Sequence, residues 1–216
     1  MEETIIVCRS NKRANVYNSG IRTRILWREE EISGGDYVMV VKNNYYWLKD
    51  ENEVDFIANG DVAQVVKVRR IEELYGYRFA QATLRFIDYE NREIDAKILI
   101  NTLTSETASL SSEENKKLFQ TILETEYSDI KTKKKQFEKM KEDPYFNALQ
   151  VKFAYAVTCH KSQGGQWKNV FIDQGYFTNE MLSIEYLRWL YTALTRSTLR
   201  LFLVNFTKEF FEDKDE

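Results

Sequence analysis

Apolar residues recur along this chain with two different periods, and the change of period divides it. Near the start, Ile5 to Cys8 form a short apolar run that reads as a strand; Ser10 follows as an N-cap, then Ala14, Tyr17, Ile21 and Leu26 at helical spacing. From Gly34 the texture changes to short alternating runs rich in Val, Tyr and Phe, punctuated by Asn59-Gly60, Tyr75-Gly76-Tyr77 and Glu90-Asn91-Arg92. Residues from about 36 to 100 therefore read as an antiparallel small barrel or sheet.

Helical spacing then returns. Ser111 with Glu114 makes a capping box ahead of Leu118, Phe119, Ile122 and Leu123, which predicts a helix over about 112–126. Lys131 to Lys141 continue as a strongly charged second helix that stops before Pro144, the only proline. Strands follow near 152–158, 169–174 and 199–205, with a helix over about 183–195 in which Ile184, Leu187, Leu190, Tyr191 and Leu194 share one face. Strands separated by helices favour parallel crossover connections. The expected architecture is α/β, with a parallel-sheet domain made of residues 1–33 and 145–216. A β-rich domain with a helical extension, residues 34–144, interrupts it, its helical part over about 111–142.

Composition narrows the function classes. At 216 residues, 43% hydrophobic and 14% aromatic, the chain can bury a sizeable core. A net charge of -3 argues against holding nucleic acid by bulk positive charge, so any such binding needs a specific surface. No apolar run is long enough to span a bilayer, and the start lacks the basic-then-apolar order of a signal peptide, which gives a cytoplasmic expectation with no membrane partner. Cys8 and Cys159, the only cysteines, read as reduced thiols beside strands; without C-x-x-C spacing no metal site is assigned.

The chemistry-bearing candidates cluster in "TCHKSQGGQW", which holds the only histidine and leaves the end of a predicted strand. In a parallel sheet such loops meet ligands. Gly164 and Gly165 would let backbone amides approach a phosphate, while Thr158, His160, Lys161, Ser162, Gln163 and Gln166 supply donors and acceptors; a purely structural turn is the competing reading. Cys159 and His160 are adjacent and leave a strand to opposite faces, so they do not read as a nucleophile and base. Arg196 follows an apolar helical face and precedes a strand, where it either complements the helix dipole or meets a phosphate. The lysines from Lys131 to Lys141 are either a solvated face or part of a DNA path; Tyr45, Tyr46 and Trp47 either stack bases or pack in the core.

Five segments, "IIVCRSNKRANVYNSGIR", "GDYVMVVKNNYYW", "FIANGDVAQVVKV", "FAYAVTCHKSQGGQWKNVFI" and "YLRWLYTALTRSTLRLFLV", together resemble the C-terminal half of superfamily 1 DNA helicases of the RecD-like, exonuclease V alpha-subunit branch. "TCHKSQGGQW" resembles helicase motif V and "YTALTRS" motif VI. The resemblance implies a second RecA-like, P-loop NTPase-type domain carrying an inserted SH3-like barrel, and 5′ to 3′ movement. It implies that Arg196 is an arginine finger reaching ATP, with Gly164, Gly165 and Gln166 at the nucleotide; Gln166 departs from the glutamate often found there. Thr158, His160, Lys161, Ser162 and Gln163 match positions that meet single-stranded DNA, and Asn43, Asn44, Asn59 and Gly60 match the barrel signature, with turn roles left open. No G-x-x-x-x-G-K-[ST] loop is present, so ATP and Mg2+ are expected as cofactors of a full-length protein and not of this chain alone, which is expected to be inactive by itself. The implied partners are single-stranded DNA, an N-terminal RecA-like domain of the same protein, and nuclease subunits. The competing reading is a non-catalytic DNA- or protein-binding module on an α/β scaffold.

Overall fold

The computed structural model describes residues 3–48 and 56–211. They form two compact units, Met1–Trp27 with Ala154–Glu216 and Arg28–Phe153.

The first unit is built on four parallel strands in the order β7-β1-β8-β9, with β1 at Thr4–Cys8, β7 at Ala156–Thr158, β8 at Trp167–Asp173 and β9 at Ser197–Val204. Register places Ile5 beside Val170 and Val7 beside Ile172, so these four β-branched residues, all buried, share one face. On the opposite face Cys8 and Ala156 pack against Ala14 of α1, Asn11–Gly20. Ser10 caps α1 as its sequence predicts, its hydroxyl accepting from the Arg13 amide at 3.2 Å.

The buried stripe of α1 differs from the expected one. It runs Ala14, Asn18, Arg22, while Tyr17, Ile21 and Leu26 are half-buried. The π-helical turn Ile21–Ile25, closed by the Leu26 amide donating to the Ile21 carbonyl at 2.9 Å, shifts the phase only of the residues after it. Asn18 has a specific task. Its amide donates to the Ala156 carbonyl at 2.9 Å and its side-chain carbonyl accepts from the Ala156 amide at 2.8 Å, completing the outer edge of β7 as another strand would.

A second departure lies in the strand expected over 152–158. The chain bends at Ala154 and Tyr155, so Leu149–Phe153 (β6) belongs to the second unit and β7 to the first. A third concerns α5, Ile184–Leu194, capped by Ser183, whose hydroxyl accepts from the Tyr186 amide. It buries Tyr186 and Ala193, whereas Ile184, Leu187 and Tyr191 of the expected stripe are 65%, 52% and 71% exposed.

The second unit is a closed barrel, β2-β3-β4-β5-β6, with β2 at Tyr37–Val40, β3 at Val62–Leu74, β4 at Tyr77–Phe86 and β5 at Arg92–Leu99. Tyr75 and Gly76, with φ of 57° and 75°, make the two-residue turn between β3 and β4. All neighbouring pairs are antiparallel except β5 with β6. A parallel pair requires the chain to travel back the length of the barrel, and it does so through α2 (Asn101–Thr104), α3 (Ser112–Glu126) and α4 (Lys133–Lys141). The capping box is formed in full at Ser111 and Glu114, and Leu118, Ile122 and Met140 pack with Tyr77, Phe79 and Leu99. The residues matching the barrel signature hold turns: the Asn43 side-chain carbonyl accepts from the Asn59 amide at 2.8 Å and that of Asn44 from the Tyr46 amide at 3.0 Å, while Gly60 takes φ 111°.

One buried carboxylate ties the first unit together. Asp173, at the end of β8, accepts from Arg13 Nε at 2.6 Å, the Tyr17 hydroxyl at 3.0 Å and Asn205 Nδ2 at 2.5 Å. Burial alone would raise its pKa; the bonds from Arg13, Asn205 and Tyr17 outweigh burial and hold it below the usual carboxylate value. Such a group contributes its full stability above the unfolded pKa of about 3.9 and loses it as pH falls through the lowered native value. Asp173→Asn is therefore expected to cost about 2 kcal/mol at neutral pH, discounted from a fully buried pair because Arg13 is 40% exposed. Urea melts of the two proteins at pH 7 and below pH 3 check this: the difference should shrink in acid.

Candidate functional site

The connection from β7 to β8, Cys159–Gln166, is short for its task. Parallel strands are usually joined by about a dozen residues or more, commonly with a helix. Here one turn of 3₁₀ helix, Cys159–Ser162, does the work. Ser162 is fully buried, its hydroxyl donating to the Cys159 carbonyl at 2.8 Å, and the Cys159 thiol donates to the Trp189 carbonyl of α5 at 3.5 Å. Ser162, expected at DNA, thus holds the turn from inside. His160 and Gln163 are exposed, Thr158 and Lys161 half-buried, and burial lowers the pKa of the Lys161 ammonium.

The double glycine has two separate causes. Gly164 takes φ 84°, in the left-handed region. At Gly165 a Cβ would lie 2.3 Å from Cη2 of the Trp167 ring, so the indole occupies the space that any side chain would need. Sequence reasoning missed Trp167; a bulky aromatic two residues beyond a glycine pair was the available signal.

Arg196 closes the loop from the other side. Placed between α5 and β9, it donates from Nε to the Thr192 carbonyl at 3.0 Å, from Nη2 to the Thr195 hydroxyl at 3.1 Å and from Nη1 to the Gly165 carbonyl at 3.1 Å. Its own carbonyl accepts from the Trp167 amide at 2.9 Å. These bonds use three of the five N–H groups of the guanidinium and leave one on each terminal nitrogen. The structure therefore divides the predicted site. Gly165, Gln166 and Arg196 meet where β8 and β9 begin, whereas Thr158 and His160 stand where β7 ends, at the opposite end of a parallel sheet.

Neither cysteine is primed as a nucleophile. Burial, then the nearby Asp173 carboxylate, pushes the Cys8 thiol up to about 12, and burial raises Cys159. Among the described residues no group of three or more His, Cys, Asp or Glu is placed to hold a metal ion.

Residues 153–204 match the model of the UvrD-like helicase C-terminal domain, a span that contains the loop and Arg196. An uncharacterized protein of Acanthamoeba polyphaga mimivirus is 24% identical over 242 residues, covering 93% of this chain and 47% of that protein. Among solved structures, one described as showing DNA unwinding at forked duplex DNA by two coordinating Pif1 helicases aligns over 99% of this chain and 42% of its own, at 15% identity and TM-score 0.50. The fold is helicase-like. The Pif1 helicase of Candida albicans aligns over 95% of this chain and 45% of its own, at 13% identity and TM-score 0.46. The chain spans less than half the length of each of these helicase-like or viral relatives.

The loop geometry gives a direct test. Gly165→Ala drives a methyl group into the Trp167 indole and is expected to cost roughly 1–3 kcal/mol, as overpacking does. In a Trp167→Leu background the same substitution should cost much less. A double-mutant cycle by thermal melting measures the coupling, and additive effects would show that the indole is not what excludes a side chain at Gly165.

Proposed function

We propose that this chain is the second motor domain of an ATP-dependent superfamily 1 DNA helicase of the RecD-like branch, a RecA-like sheet carrying an SH3-like barrel. The observation that carries the reading is the helicase C-terminal match over 153–204, whose two motif-like segments are the ones that Arg196 and Gly165 bond together. Pif1 helicases, with which the chain shares a fold, are described as unwinding forked duplex DNA, and we carry unwinding to the complete protein as a proposal.

In this reading Arg196 offers its two remaining N–H groups to a γ-phosphate cradled by a P-loop domain outside this sequence, which would also hold Mg2+. Its planar fork neutralises charge that develops on the transferring group. Because Nη1 also holds the Gly165 carbonyl, a shift of the guanidinium toward a phosphate pulls on the loop. The far end of that loop presents Thr158, His160, Lys161 and Gln163 to a DNA strand, giving a mechanical link between hydrolysis and grip. Gln166, exposed beside Gly165, would face the nucleotide.

A second reading has its own observation. The three bonds of Arg196 finish the C-terminus of α5 and tie down a loop, which is a sufficient structural role in a non-catalytic binding module. The discriminating experiment is DNA-stimulated ATP hydrolysis by the complete protein with Arg196→Ala and Arg196→Lys, alongside ATP affinity and melting temperature. An arginine finger predicts turnover reduced on the order of 10³ or more with ATP affinity little changed, and poor rescue by lysine. Near-parental turnover with a lowered melting temperature would leave Arg196 as a staple only.

A further inference from the structure

The helical extension between β5 and β6 carries a charge pattern that folding does not require. Lys131, Lys133, Lys134, Lys135, Lys139 and Lys141 face a single acidic residue, Glu138, within the same segment, in a chain whose net charge is -3. All six are exposed, and among the described residues none makes an ion pair. A helix face that is merely solvated normally alternates sign and gains from pairs three and four residues apart. Three of the lysines, Lys133, Lys134 and Lys135, also stand where they cost stability, in a first turn with no acidic residue and no side-chain cap from Thr132, while Lys139 and Lys141 in the last turn suit the dipole. On one side of α4, Lys133, Lys134 and Lys141 surround Phe137, which is 53% exposed and lies 6.4 Å from the Phe119 ring of α3. Lys116, three residues before Phe119, extends the same side.

We propose that this face of α4, with Lys116 of α3, binds the phosphate backbone of a nucleic-acid strand. From Lys133 to Lys141 the helix rises about 12 Å, at roughly 1.5 Å per residue, which suits a run of backbone phosphates better than one small anion. The half-exposed Phe137 gives the strand an apolar surface between the charges. The inference deepens the DNA-binding reading above and rests on it for the identity of the polyanion, but it uses none of the loop residues.

The experiment measures binding of a fluorescein-labelled oligothymidylate by anisotropy across a potassium chloride series, using the full chain. Lys133→Glu/Lys141→Glu is compared with Lys67→Glu/Lys208→Glu, which changes net charge equally at exposed positions elsewhere. The α4 variant is expected to lose affinity ~10-fold or more, and the slope of log Kobs against log salt should fall by about 1.4, two contacts at roughly 0.7 each. Its melting temperature should change little, because glutamate suits the first turn better than lysine at position 133, while at position 141, in the last turn and over the Phe137 ring, lysine is the better residue. Equal loss in both variants would reduce the effect to bulk charge and overturn the proposal, as would displacement by polyglutamate at matched charge. His160→Ala/Lys161→Ala separates the two surfaces. Loss only in the loop variant overturns this inference and leaves the loop reading standing; loss only in the α4 variant upholds the inference while the loop reading fails.

Discussion

A strand that runs parallel to its neighbour obliges the chain to travel back along the sheet before it can pair again, and this obligation shapes both units. In the barrel it arises once, at the parallel β5–β6 pair, and the chain meets it with α2, α3 and α4. In the α/β unit it arises between β8 and β9, where α5 meets it, and between β7 and β8, on either side of β1, where the chain has only Cys159–Gln166 to spend. The first solution produces a helical extension with a free outer face. The second produces a loop with one end at the close of β7 and the other at the start of β8. Each candidate surface is the by-product of one return journey.

A connection that short has to be held at several points, because its backbone crosses without the internal bonds of a full helix. Ser162 bonds within the turn, Cys159 bonds to α5, and Arg196 reaches Gly165 from the far side. Each neutral bond of this kind is worth about 1 kcal/mol net, and bonds from a charged donor roughly twice that. Arg196 therefore contributes to loop order whatever else it does, and its loss combines a structural effect with any catalytic one. The two differ greatly in size: a few kcal/mol of stability leaves a folded protein nearly fully populated, while the same free energy removed from a transition state changes rate by orders of magnitude.

Much of this architecture can be read from spacing. The Ser10 cap, the capping box at Ser111, the Tyr75-Gly76 turn and the shift from helical to alternating period near Gly34 are local signals, and local chemistry decides them. The rest depends on contacts distant in sequence. Asn18 is buried because Ala156 stands at a sheet edge with both backbone groups to satisfy, and no pattern within α1 announces that. The π turn at Ile21–Ile25 moves the apolar phase out of step with a 3.6-residue repeat. Tyr186, off the stripe that the apolar spacing of α5 suggests, is nonetheless the residue taken inside, where its hydroxyl accepts from Gln174 Nε2 at 2.8 Å. In the candidate site, the glycines, Arg196 and the exposed His160 were visible as types. That Gly165 makes room for an indole, and that Ser162 faces inward, required the fold.

Both surfaces separate the atoms that fold the chain from the atoms left for a partner. In α4, Met140 faces inward with Leu118 and Ile122 of α3, and burial of these side chains at roughly 1.5–3 kcal/mol each exceeds the few tenths lost to each unfavourable lysine contact. The helix can thus carry unpaired cations because its apolar side holds it in place. In Arg196 the same division operates within one side chain, three N–H groups fixing the loop and two remaining. A group already ordered by structural bonds loses little further rotamer freedom when it meets a ligand, a loss that would otherwise be of order 0.5–1.5 kcal/mol for a long side chain. Pre-ordering by the fold is therefore a property of Arg196 and not of the α4 lysines, whose ammonium groups have no such bonds among the described residues to fix them.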